Sequence, residues 1–188
     1  MRTTKHLEWD IMVGLIEKMK EDGNRLHLLV TMQGLLGLRV GDALKLTWKQ
    51  LLGDSFIITE EKTGKQRKMM VSETLREAVS MEYKRKYGRA RITDKIFINR
   101  HKTTHMSVSY VNKNLKKTFA KFGIDADQVS SHMFRKSFAY KIMSDGEFSD
   151  KSIYLVSRLL NHSNISTTMK YLLLHEKEES EVYNSLKL

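Results

Sequence analysis

The segment Leu26–Leu36 (LHLLVTMQGLL) is apolar on almost every face before Gly37 breaks it. A helix that is hydrophobic all round has to be buried on most of its faces, so this segment belongs in a core. The flanking pattern is also helical. Leu7, Ile11, Leu15, Ile16 and Met19 recur at helical spacing, and Asp22-Gly23 supplies a stop, which predicts a helix over Leu7–Glu21. A short helix over Val40–Leu46 restarts the chain after Arg39. Ser55–Thr59 (SFIIT) and Lys68–Val71 (KMMV) are short extended runs joined by the polar turn Glu60–Arg67, the pattern of a β-hairpin with a basic loop. Glu73–Tyr87 reads as an amphipathic helix and Lys95–Asn99 (KIFIN) as a short strand or extended segment. Further helices are expected over Ser107–Phe122, closed by Gly123, then Gln128–Met143, Asp150–Leu160 and Ser166–Leu174, with a charged tail beyond. The expected fold class is α+β and mainly α-helical, with a small antiparallel sheet made of the hairpin plus one short strand. No proline, repeat or composition shift marks a linker, so one domain is expected.

The chain has 188 residues, enough for one domain or two small ones, and 40% hydrophobic with 29% charged residues is too apolar for a disordered tail. There is no cysteine, which removes disulfides and thiolate metal sites. No apolar run approaches the roughly 20 residues needed to span a bilayer, and MRTTKHLEWD lacks the apolar centre of a secretory signal. A soluble, cytoplasmic protein with no membrane partner is expected. The net charge of +11 is uneven. Residues 51–122 carry 17 basic and 7 acidic side chains, whereas the segments on either side sum to only +2 and −1. Such a zone suits a phosphate backbone, although a solvated surface gives the same count.

Individual residues carry little alone. His132 and Arg135 in HMFR share one helix face at i and i+3, where both can address one phosphate. By spacing alone, a packed histidine beside a surface arginine is the commoner arrangement. Arg39 sits at a break between helices in GLRVGDALKL, with Asp42 placed to orient it by an ion pair. Lys62 lies in the turn EKTGKQRK, and Lys65 competes for the same role. Tyr171, among Met169, Leu172, Leu173 and Leu174, reads as a core aromatic or as a nucleophilic phenol; with an ordinary pKa near 10, the latter needs cations or a base nearby.

The order of these residues is more informative. Arg39, Lys62, His132, Arg135, His162 and Tyr171 resemble the active-site series of the tyrosine recombinases, or phage integrase family, over roughly residues 7–175. GLRVGDALKLTW resembles the first-arginine box, EKTG the hairpin lysine, SSHMFRKSFA the His-x-x-Arg box, and LLNHSNISTTMKYL the segment from the second histidine to the tyrosine. The last matches in both content and spacing. The resemblance implies site-specific DNA recombination (integration, excision or inversion) through a 3′-phosphotyrosyl intermediate. Tyr171 is then the nucleophile, Arg39 and Arg135 the phosphate clamp, His162 a further donor, Lys62 the acid at the leaving 5′-oxygen and His132 the base. It implies no cofactor and no metal ion. The partners implied are double-stranded DNA, contacted by Lys65, Arg67 and Lys68 of the hairpin, and copies of the chain in a tetrameric synapse. Residues 1–176 would form the catalytic domain, and the tail 177–188, with Val182, Tyr183, Leu186 and Leu188, could dock on a neighbouring protomer or fold back.

The sequence also departs from the family pattern. Lys136 stands where the family often has histidine, and Asn161 where glycine is usual. Most members carry an N-terminal clamping domain. Here the catalytic part begins close to Met1, which fits either a single-domain recombinase similar to the fimbrial-switch invertases or a catalytic fragment. Two other readings of the same scaffold are a non-cleaving DNA-binding regulator and a type IB topoisomerase-like enzyme.

Overall fold

In the computed structural model the apolar segment forms α2 (His27–Leu36), with Leu29, Val30 and Met32 fully buried. The structure describes residues 4–85, 90–99, 101, 104–126 and 128–172. The expected tail 177–188, the last residues of the helix expected over Glu73–Tyr87 and residues 173–174 of the helix expected over Ser166–Leu174 lie outside them. Packed against α2 are α1 (Trp9–Glu21), α3 (Val40–Ala43), α5 (Glu73–Arg85) and α7 (His132–Asp145). Helix α1 starts two residues later than its apolar spacing suggests. Leu7 precedes it and is held instead through its backbone N–H and carbonyl, both bonded to the Ser137 hydroxyl of α7. No helix among the described residues is long and apolar enough to cross a membrane.

A short helix, α4 (Trp48–Leu52), was not expected, yet its signal is local. Thr47 and Gln50 form a reciprocal capping box, and Trp48 and Leu51 face the core. Strands β1 (Ser55–Thr59) and β2 (Gln66–Met70) pair antiparallel, with Ile58 opposite Arg67 and Phe56 opposite Met69. The expected third strand over Lys95–Asn99 is corrected: this segment makes only isolated bridges, Thr47 to Lys95 and Ile98 to His105. Ile96 and Phe97 are buried there, so the apolar run reflects burial of an extended segment rather than a sheet position.

Helix α6 (Val108–Lys121) follows the Ser107 cap. Helix α7 begins at His132, four residues later than expected, because Ser131 donates its backbone N–H to Asn112 Oδ1 instead of entering a preceding turn. His132 is therefore the first helical residue. The chain ends its described part with α8 (Asp150–Leu159) and α9 (Ile165–Leu172). These two helices and the far end of α7 share a smaller core of Ala139, Met143, Ile153, Val156 and Leu160, against which Phe138, Met169, Tyr171 and Leu172 pack. The structure thus has a main core around α2 and a satellite core carrying Tyr171, with α7 belonging to both.

Candidate active site

Gly37 closes α2 in the left-handed region, at φ 60°, a conformation that favours glycine. A Cβ there would collide with the Phe138 ring. The turn brings its carbonyl to Arg135, whose guanidinium donates to Gly37 O and, at 2.8 Å, to Leu160 O. Arg135 is almost completely buried, and burial lowers its pKa to about 10, which leaves it charged at neutral pH. Two distant carbonyls therefore fix this cation and tie α2, α7 and the end of α8 together.

Arg39, the residue just before α3, reaches a carboxylate that sequence reasoning missed. Its Nη1 donates to Glu60 Oε2 at 2.7 Å, while Arg67 Nε lies 3.1 Å from Glu60 Oε1. Glu60 has a completely buried side chain. Burial pushes its carboxyl upward, but the Arg39 hydrogen bond, the nearby Asn161 amide and both arginine charges outweigh this and hold it below the usual carboxylate range. Strand alternation explains the arrangement. Phe56, Ile58 and Glu60 fall on the inward side of the hairpin, and Arg67 lies opposite Ile58 on that same side. Reading β2 as starting at Lys68 hid this. The expectation that Arg67 contacts DNA from the hairpin surface is corrected accordingly: it points inward to Glu60 and donates to Leu159 O. Asp42 is corrected as well. It does not pair with Arg39 but accepts the backbone N–H of Glu61 at 3.0 Å, fixing the start of the hairpin turn.

That turn is tightened by Gly64 N–H donating to Glu60 O, and by the Thr63 hydroxyl donating to Glu60 Oε2 at 3.1 Å. It leaves Lys62 and Lys65 exposed, and Lys68 is exposed on the outer side of β2. Of the two turn lysines, Lys62 is the one whose charge acts on His132. His132 meets solvent on one side, but its crowded inner side and the cations Arg135, Lys136, Arg39 and Lys62 all lower its pKa, so it is neutral at pH 7.

His162 follows Asn161, which holds the left-handed region at φ 54°. Asparagine tolerates that conformation better than most residues, which explains how it replaces the expected glycine. His162 Nδ1 lies 2.8 Å from the hydroxyl of the buried Thr168. Burial, then repulsion from Arg135 and Arg39, pushes its pKa down to about 4. Its ring meets Tyr171 edge-on, with centroids 5.5 Å apart. The Tyr171 hydroxyl is buried without a hydrogen bond of good geometry; burial pushes the phenol up to about 12, although Arg135 and Arg39 pull it down. The fold therefore brings Arg39, Arg135, His162 and Tyr171 within mutual electrostatic reach, with His132 and Lys62 on the rim.

The site gathers a phenol, paired guanidiniums, neutral imidazoles and a mobile-length ammonium, a set suited to attack on a phosphodiester. The phage integrase family model matches residues 5–178, and the chain belongs to that family. A relative, the tyrosine recombinase XerD of Agrobacterium fabrum (strain C58 / ATCC 33970), is 28% identical over 174 residues, covering 84% of this chain and 51% of that protein. The chain spans about half the length of the curated relatives first matched. Among solved structures, the XerA recombinase superposes with a TM-score of 0.75 at 21% identity, covering 100% of this chain and 68% of that one. The XerH site-specific recombinase bound to palindromic difH substrate, a post-cleavage complex, gives 0.71 at 18% identity, covering 98% of this chain and 54% of that one. The fold is that of the tyrosine recombinases.

Proposed function

We propose that this chain cleaves and rejoins DNA at specific sites through a 3′-phosphotyrosyl intermediate. The observation that carries the reading is the placement of Arg135. Its guanidinium is held by the Gly37 and Leu160 carbonyls and acts electrostatically on the Tyr171 phenol. Those carbonyls use only part of its five-donor inventory, so other N–H groups remain for non-bridging phosphate oxygens. Arg39, braced by Glu60, supplies the second clamp and stabilises the charge that builds on phosphorus. The Tyr171 oxygen forms the new P–O bond as the P–O5′ bond breaks. The phenol proton passes to the neutral His132, and Lys62 gives a proton to the departing 5′-oxygen. With the Thr168 hydroxyl, 2.8 Å away, donating to His162 Nδ1 in this reading, Nε2–H serves as a donor to the phosphate. A 5′-hydroxyl then reverses the sequence.

Double-stranded DNA is the partner in this reading, with Lys65 and Lys68 exposed on the hairpin for backbone contacts. A structural neighbour, the Tn1549 transposon integrase in complex with transposon right end DNA, supports the same partner class. Residues 1–176 act as the catalytic domain, copies associate on DNA as a tetramer, and the tail 177–188 either docks on a neighbouring protomer or folds back on its own core. The test is capture of genomic DNA covalently bound to the wild-type protein, followed by sequencing. Wild type is expected to yield adducts at a shared sequence, and Tyr171→Phe none, with DNA binding retained. Adducts that persist in Tyr171→Phe would refute the nucleophile assignment.

A further inference from the structure

Lys136 departs from the family pattern, and its role so far is only as one of the cations that lower the pKa of His132. It follows Arg135 in α7 and is only 5% exposed. Among the described residues no carboxylate lies within ion-pairing distance of it. Its Nζ stands 4.9 Å from the centroid of the Tyr171 ring. A desolvated ammonium without a counter-ion is costly, and an aromatic face is one of the few neutral surfaces that attract it.

The ring also needs a support. Helix α9 is short, Thr168 is its one fully buried side chain, and it packs on α8 and α7 through the satellite core. The Tyr171 ring is gripped by His162 at its edge and by Lys136 above its face. We propose that Lys136 is a positioning residue whose ammonium holds the Tyr171 ring in register for attack on the phosphate. The inference rests on Tyr171 being the nucleophile. The charged and titratable groups that face Tyr171 are Arg135 and Lys136 from α7, His162 from the turn after α8 and Arg39 from the start of α3. Lys136 is the member of that set placed over the ring. Burial lowers the pKa of Lys136, in keeping with an ammonium withdrawn from water.

The test measures single-turnover adduct formation by the full 188-residue chain. The probe is a nicked suicide duplex carrying the sequence captured by the wild-type protein. Lys136→Met keeps the length and removes the charge. It is expected to slow cleavage about tenfold, the scale of a desolvated cation over an aromatic ring, with DNA affinity unchanged. Its melting temperature is expected to hold or rise, because an apolar group replaces an uncompensated buried charge. Lys136→Arg, which keeps a cation over the ring, is expected to stay within about threefold of wild type. A purely structural role would make rate and stability fall together in both variants, and that result would overturn the proposal. So would a Lys136→Met rate within about twofold of wild type, well short of that scale. Absence of adducts from the wild type overturns the nucleophile reading and this inference with it.

Discussion

Replacing Glu60 by alanine removes the one carboxylate among the described residues that joins Arg39 to Arg67. The distances of 2.7 and 3.1 Å correspond to Coulomb attractions of about 6 and about 5 kcal/mol at an effective dielectric near 20. Those values are gross. Desolvation of three charged groups and repulsion between the arginines offset much of them, and breaking a buried pair by deleting one partner costs about 3–5 kcal/mol. The side chains are 0%, 22% and 14% exposed for Glu60, Arg39 and Arg67, so water offers the arginines little compensation. For a domain of this size each kcal/mol moves the midpoint by about 2–4 °C, which places the loss near 6–20 °C. Thermal unfolding at pH 7, with urea unfolding for the free energy, reads this directly. A cycle with Arg67→Met should show strong coupling, because Glu60→Ala costs less once one cation is gone. If Glu60→Ala lost less than about 1 kcal/mol, the pair would behave like an exposed ion pair and the bracing role of Glu60 would be wrong.

Gly37→Ala is expected to lose about 1–2 kcal/mol from its positive φ before the Phe138 collision adds to it, and to slow cleavage by displacing the carbonyl that holds Arg135; urea midpoints and adduct rates check both. His162 titrates near pH 6.5 when unfolded and near 4 when folded, so the unfolded chain binds more protons between those values. Stability should therefore fall as pH drops from about 6.5 to about 4, with His132 adding in the same direction, and His162→Gln should flatten the slope in unfolding measured across that window. Lys62→Ala should cleave poorly on an ordinary phosphodiester and recover on a substrate with a sulfur leaving group at the 5′-position. Recovery in Lys65→Ala instead would move the acid role to that residue.

The helices were largely legible because their signals are local. Leu26–Leu36 is apolar all round and stops at glycine, and the pattern gives α2 to within one residue. The α4 cap is equally local, lying in Thr47 and Gln50, but the helix it starts is only five residues long and shows little apolar period. Lys95–Asn99 misled because burial and pairing leave the same apolar trace, and pairing depends on a partner far along the chain. The expectation for Arg67 failed by a strand boundary. Two residues of extra strand turn an apparent surface cation into an inward one.

The sequence by itself determined the inventory: which cations, imidazoles and phenol the chain carries, in what order, and which short elements hold them. Those are properties of composition and local period. Tertiary structure decided which groups meet. The 21 positions from Arg39 to Glu60 close to a 2.7 Å contact, and the 98 from Gly37 to Arg135 close to a hydrogen bond. It also decided the charge states: burial and neighbouring arginines lower His162 to about 4, while burial, against the pull of the same arginines, raises Tyr171 to about 12. No local pattern encodes those values, since desolvation and Coulomb interaction depend on distances through space rather than along the chain.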